Sequence, residues 1–282
     1  MDCLEEFYNK FNEDKRLESR HGKLELTVTM KYIHECIEKI RDGRDNSQIR
    51  ILDLGAATGQ YTIPLALEGY KVTAVEYVQH NVGRLKQKVS RQGLEDFVTA
   101  YRGNALKLKR IKEEEFDLVL LFGPMYHLFT EEDRVQALGE AFRVMKSGGM
   151  LMVAYIMNEY AVLVHGFMEQ NVLESIKSGK LTEDFKVQTA PEDIFSYVTL
   201  EDIDRYLMLL NKKNIEESKQ FQLVREKIFS PDGPANHMRM YINRLSEEEY
   251  DFFVKYQLSV CERKDLLGAG GHTVDVLRKT EK

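Results

Sequence analysis

Hydrophobic positions along the chain fall into three regimes of spacing. Leu4, Phe7, Tyr8 and Phe11 recur at helical intervals, as do Leu26, Met30, Ile33, Ile37 and Ile40, so residues 1–48 predict two helices. Short apolar runs then alternate with amphipathic stretches. The pattern predicts strands near 49–54, 71–76, 97–102, 116–122 and 150–156, and helices near 60–68, 78–92 and 130–146. Gly69, Gly93 and Gly148 stand where helical patterns stop. Thr130 with Asp133 offers the last of these helices an N-cap, ahead of an apolar stripe of Val135, Leu138, Phe142 and Met145. Pro64 fits because it falls in a first turn, where backbone donors have no helical partner. Such alternation predicts an α/β, doubly wound, mostly parallel sheet with ligands at the carboxyl ends of its strands.

Past residue 156 the alternation loosens. Residues 158–178 read as helical, a capped helix starts at Thr199, and Phe221–Phe229 reads as a strand. Residues 235–262 read as helical again, and His272–Leu277 as a final strand. The expectation is one domain over 1–282. Helices in 1–48 precede a core in 49–156, with 199–228 and 270–282 completing the sheet. Helical insertions at 157–198 and 229–269 would lie over the strand ends as a lid.

Composition narrows the function classes. Hydrophobic residues make up 43% of the 282, enough for a sizeable core. No apolar run approaches the roughly 18–20 residues of a membrane span, so no membrane partner is expected. The acidic start Met1-Asp2-Cys3-Leu4-Glu5-Glu6 does not resemble a secretory leader. Three distant cysteines, Cys3, Cys36 and Cys261, suit reduced thiols in a cytoplasmic protein and offer no metal site. A net charge of −6 gives no support for nucleic-acid binding. The basic run Lys107–Lys112 leads straight into Glu113-Glu114-Glu115 and reads as a solvated face.

The candidate chemistry lies in Ile51-Leu52-Asp53-Leu54-Gly55-Ala56-Ala57-Thr58-Gly59, an apolar strand that ends in an acid and a small-residue turn. Glu76 closes the next strand. Backbone amides at such a turn can hold an anion, and an acid on the second strand can accept from both hydroxyls of a ribose. An adenosine-containing cofactor fits. The dinucleotide fingerprint needs small residues at i, i+2 and i+5, and Gln60 breaks it. Spacing i, i+2, i+4 (Gly55, Ala57, Gly59) fits instead.

That spacing resembles motif I of the class I S-adenosylmethionine-dependent methyltransferases. Further segments are similar to the family's motifs in order: Glu76-Tyr77, Gly103-Asn104-Ala105, Phe116–Phe122, and Arg143–Gly149 leading into the fifth strand. The resemblance covers 49–156 clearly. It implies a Rossmann-like sheet of seven strands, the last antiparallel, and S-adenosylmethionine as cofactor. It also implies roles. Gly55, Ala56, Ala57 and Gly59 would bring main chain to the methionine part, Asp53 would reach its amino group directly or through water, and Glu76 would hold the ribose. Tyr77, Asn104 and Ala105 would border the adenine, and Phe122 the methionine tail. Ala57 departs from the usual middle glycine, and Asn104 from a frequent aspartate.

Gly123-Pro124-Met125-Tyr126-His127 follows the fourth strand, beside the expected methyl group. It differs from the Asn/Asp-Pro-Pro-Tyr signature of methyltransferases that act on bases and glutamine. His127 is the candidate base and Tyr126 the candidate acceptor contact, with packing roles as the alternative for both. Arg20 and Glu25 are weaker candidates. His165, His237 and His272, in or near the lid, read as structural or exposed, and Gly268–Gly271 as a flexible turn. The leading expectation is methyl transfer to a small molecule. Its rivals are an RNA or protein methyltransferase and a non-catalytic partner that binds S-adenosylmethionine.

Overall fold

A computed structural model describes residues 3–10 and 19–282. Two helices come first, α1 (Cys3–Lys10) and α2 (Arg20–Ile40). The expected stripe residue Phe11 lies outside the described residues. Next come β1 (Arg50–Leu54), α3 (Thr62–Leu67), β2 (Lys71–Glu76), α4 (Gln79–Arg91), β3 (Val98–Arg102) and β4 (Phe116–Leu121). A 3₁₀ turn at Pro124–His127 leads to α5 (Glu131–Val144) and β5 (Met145–Ile156). Then follow α6 (Asn158–Ala161), a π-helical segment Val162–Met168, α7 (Val172–Lys177), α8 (Leu200–Glu216) and β6 (Phe221–Phe229). The chain closes with α9 (Arg239–Ile242), α10 (Glu247–Val260) and β7 (His272–Glu281).

The seven strands form one sheet in the order β3-β2-β1-β4-β5-β7-β6. All neighbours pair in parallel except β7, which runs antiparallel to both β5 and β6. Strand order reverses between β1 and its two neighbours, β2 and β4, so the crevice opens at the carboxyl ends of these strands.

Alternation along the central strands divides the core. Ile51, Leu118, Leu120, Met150 and Met152 point to one face and pack on Leu24, Val28, Tyr32, Ile33 and Ile37 of α2. Leu52, Leu54, Val119, Leu121, Leu151 and Val153 face the other side, against Ala137, Leu138 and Ala141 of α5 and Ile203, Tyr206 and Leu210 of α8. All six residues of β4 are buried, as expected of a central parallel strand. The N-caps read from sequence are formed: Thr130 accepts from the Asp133 N–H, and Thr199 closes a capping box with Asp202.

One local expectation is corrected. Helix α5 stops at Val144, and Gly148 (φ +73) sits inside β5 instead of ending a helix. Met145 already pairs with Phe116, and an irregularity in the ladder absorbs the intervening residues. The helical stretch 235–262 contains α9 and α10, the second started by a capping box between Ser246 and Glu249.

Candidate active site

The site is built from two strand tips and the turns that leave them. After β1 the chain turns at Gly55 with φ +80. A Cβ there would stand 2.6 Å from the Phe122 carbonyl oxygen and 2.6 Å from Pro124 Cδ, so only glycine fits. Ala57 adopts φ +47, a left-handed conformation that costs an L residue about 1–2 kcal/mol. The Glu76 carboxylate holds it there: Oε2 accepts from the Ala57 N–H at 2.9 Å, and Oε1 from the Val78 N–H at 2.8 Å. Glu76 thus ties the β1 turn to the β2 turn with charge-assisted bonds.

These turns open into a cavity of about 1140 Å³. That is at the upper end of, or above, the roughly 300–1,000 Å³ of a single small-ligand pocket, leaving space for two ligands side by side. Of the residues singled out from sequence, Gly55, Ala56, Ala57, Glu76, Tyr77, Asn104, Ala105, Phe122, Tyr126 and His127 all line it. The Asn104 side chain shapes its own turn, its Oδ1 accepting from the Leu106 N–H at 2.8 Å.

Asp53 and Gly59 are not on the cavity wall. Asp53 is buried behind the turn, where Oδ2 accepts from the Thr62 hydroxyl at 2.6 Å and Oδ1 has no partner among the described residues. Burial, with the nearby Glu76 charge, pushes its carboxyl up to about 7. From there it supports the turn from below. Gly59 (φ +94) is there for packing, since a Cβ would fall 2.5 Å from Leu85 Cδ1.

Elsewhere on the cavity wall, His127 accepts and donates across a gap that no local pattern reveals. Its Nδ1 lies 2.7 Å from the Ile194 carbonyl, which can only accept, so Nδ1 carries the proton. Nε2 then accepts from the Tyr8 hydroxyl at 3.2 Å. Desolvation by burial lowers the imidazole to about 4, so it is neutral near pH 7. Phe195 packs on it with ring centroids 5.4 Å apart, and Tyr126 lies between His127 and His272, 6.2 and 5.7 Å away.

Sequence reading missed part of this wall. Tyr8 joins His127 across 119 positions, and Tyr160, Phe195 and Tyr197 line the cavity from the segments beyond β5. His272, expected to be structural or exposed, lines the cavity beside Glu25 and is paired with buried Asp232. Arg20 instead reaches out of the site to the Asn243 carbonyl at 3.4 Å.

Comparison with known proteins agrees with this geometry. Residues 51–149 match a family model described as a methyltransferase domain. Over those residues the chain is similar to class I S-adenosylmethionine-dependent methyltransferases. Among these relatives, a demethylmenaquinone methyltransferase of Lactiplantibacillus plantarum is 36% identical over 109 residues, covering 38% of this chain and 44% of the relative. A glycine/sarcosine N-methyltransferase of Aphanothece halophytica is 27% identical over 115 residues, covering 40% and 43%. The chain therefore matches about half, or less, of the length of these relatives. A solved structure of Haemonchus contortus phosphoethanolamine N-methyltransferase 1, complexed with phosphoethanolamine and S-adenosylhomocysteine, superposes with a TM-score of 0.59 at 13% identity. That match covers 99% of this chain and 48% of the other, and it speaks for the fold alone. Among the described residues, no helix is long and apolar enough to cross a membrane, and no cluster of metal-ligating side chains occurs.

Proposed function

We propose that this chain is a cytoplasmic enzyme that transfers a methyl group from S-adenosylmethionine to a small-molecule acceptor. The observation that carries the reading is the convergence of the Gly55–Ala57 turn and the Glu76 carboxylate at one end of a cavity with space for a second ligand. The tight turn, closed to any Cβ at Gly55, supports close approach of the methionine part to main chain. As a carboxylate, Glu76 is an acceptor of the kind that ribose hydroxyls need. Tyr77, Asn104 and Ala105 border the adenine, and Phe122 the methionine tail.

When bound, the cofactor supplies an already activated methyl electrophile. The protein's own work is then positioning and exclusion of water. Tyr126 and His127 form the wall of the acceptor half, and helix α1 closes it through Tyr8. The segments 157–198 and 229–269 act as the lid. Support for a small acceptor comes from this enclosure and from the small-molecule names of the relatives, including a ubiquinone biosynthesis O-methyltransferase of Caulobacter.

Calorimetry with S-adenosylhomocysteine tests the cofactor half, with binding expected in the micromolar range. Transfer of tritiated methyl into a low-molecular-weight fraction of cell extract tests the rest. Absence of binding, or label found only in macromolecules, would refute the reading.

A further inference from the structure

The acceptor half of the cavity holds a second histidine, and its surroundings are built around it. His272 is the first residue of β7, opposite Ile156 at the end of β5. Its Nδ1 lies 2.8 Å from Oδ2 of Asp232, which is 1% exposed. The same carboxylate accepts from the His272 backbone N–H at 3.1 Å and from Asn236 Nδ2 at 2.7 Å, with the Ser230 hydroxyl at 3.4 Å. The glycine run ahead of β7 makes this cluster possible. A Cβ on Gly271 would fall 2.5 Å from Asn236 Nδ2 and 2.6 Å from Asp232 Oδ2, and one on Gly270 would fall 2.4 Å from Ser230 Oγ. Gly270 and Gly271 are thus the floor on which the acid and the imidazole meet.

Building on the methyl-transfer reading, we propose that His272 is the general base of the reaction and Asp232 its positioning residue. The acceptor is then a group that keeps its proton at neutral pH: an alcohol, a phenol or an ammonium. An ionised carboxylate fixes the Nδ1–H tautomer and leaves Nε2 as the ring's acceptor nitrogen. The acceptor's oxygen, or its nitrogen once the proton has left and freed the lone pair, forms its bond to the methyl carbon as the sulfur–methyl bond breaks. The electron pair of that bond stays on sulfur, and the acceptor's proton passes to Nε2. The Asp232 carboxylate stabilises the resulting imidazolium. Among the described residues His127 has no such acid, and burial makes it weakly basic, which suits packing and hydrogen bonding better than proton removal. Among the described residues, Glu25 stands beside His272 with its Oε2 3.9 Å from Nδ1, Tyr126 packs near the ring with centroids 5.7 Å apart, and His21 and Arg239 line the same cavity.

Two measurements test the assignment. Nitrogen-15 NMR of histidine-labelled protein reads the His272 tautomer without any turnover. The Nδ1–H form is expected in the native chain and should be lost or mixed in Asp232→Asn, whereas an Nε2–H form in the native protein would overturn the proposal. The second measurement is tritiated methyl transfer into a small-molecule extract, alongside S-adenosylhomocysteine binding. His272→Gln should keep cofactor affinity within about threefold and lose about 100-fold or more in rate. Asp232→Asn should slow transfer less than His272→Gln does. A purely structural role for Asp232 would leave the tautomer as in the native chain. Full activity in His272→Gln would overturn the proposal, as would a product that releases labelled methanol in alkali, the mark of a carboxylate acceptor that needs no base. Partition of a stable product into aqueous acid or organic solvent separates an amine from a phenol or alcohol. Failure of the native chain to bind S-adenosylhomocysteine would remove the underlying methyl-transfer reading, while the tautomer measurement still judges the Asp232–His272 pair.

Discussion

Replacing Glu76 with glutamine perturbs the turn and the ligand site together, and the two effects can be sized separately. In the native chain Oε2 and Oε1 accept from the N–H groups of Ala57 and Val78 at 2.9 and 2.8 Å, and the side chain is 7% exposed. Glutamine keeps the shape and one carbonyl acceptor. Its amide end, however, turns a donor toward a backbone donor. One charge-assisted bond is lost, at about 1.5–3 kcal/mol, and the other weakens to a neutral one. Water in the adjacent cavity recovers part of this, so a net loss of about 2–3 kcal/mol is expected. At about 2–4 °C per kcal/mol for a protein somewhat smaller than this one, the melting temperature should fall by roughly 4–10 °C. Loss of one charged acceptor toward the ribose should separately weaken S-adenosylhomocysteine by about 10–150-fold, at 1.4 kcal/mol per decade. Differential scanning fluorimetry reads the first effect and calorimetry well below the melting transition reads the second. Affinity within threefold of native would refute the ribose role of Glu76, and an unchanged melting temperature would refute its role as the tie between the two turns.

Gly55→Ala should cost about 2–4 kcal/mol, combining left-handed strain with a Cβ placed 2.6 Å from a carbonyl oxygen, and should abolish cofactor binding in calorimetry. Asp53 titrates higher folded, at about 7, than unfolded, at 3.8, so its ionisation opposes folding as pH rises through that window. Asp53→Asn should therefore narrow the stability difference between pH 5 and pH 8 by a few kcal/mol in urea titrations; an unchanged difference would contradict the buried, unpaired Oδ1. His127 is shifted the other way, from 6.5 down to about 4, so its contribution is present above pH 6.5 and lost as pH falls through 4. His127→Gln should flatten the acid side of the stability curve by up to about 3 kcal/mol, and an acid limb as steep as the native one would argue against a buried neutral imidazole.

The sequence by itself determined the sheet and the two strand-tip turns at which the cofactor site is proposed. Both are written in local patterns: buried runs such as Phe116–Leu121, capped helices at Thr130 and Thr199, and a turn whose glycine the backbone requires at Gly55. Glu76 was legible for the same reason, since a strand's last side chain has one direction to point once the sheet is known. Only the tertiary structure moved Asp53 and Gly59 behind the wall, because which side of a turn a side chain takes depends on neighbours such as Thr62 and Leu85. It alone brought Tyr8 to His127 and Asp232 to His272, pairs 119 and 40 positions apart. Such pairs leave no periodic trace. They form because β7 runs antiparallel beside β5 and delivers its first residue to the cavity, and because α1 crosses the same opening from the far end of the chain.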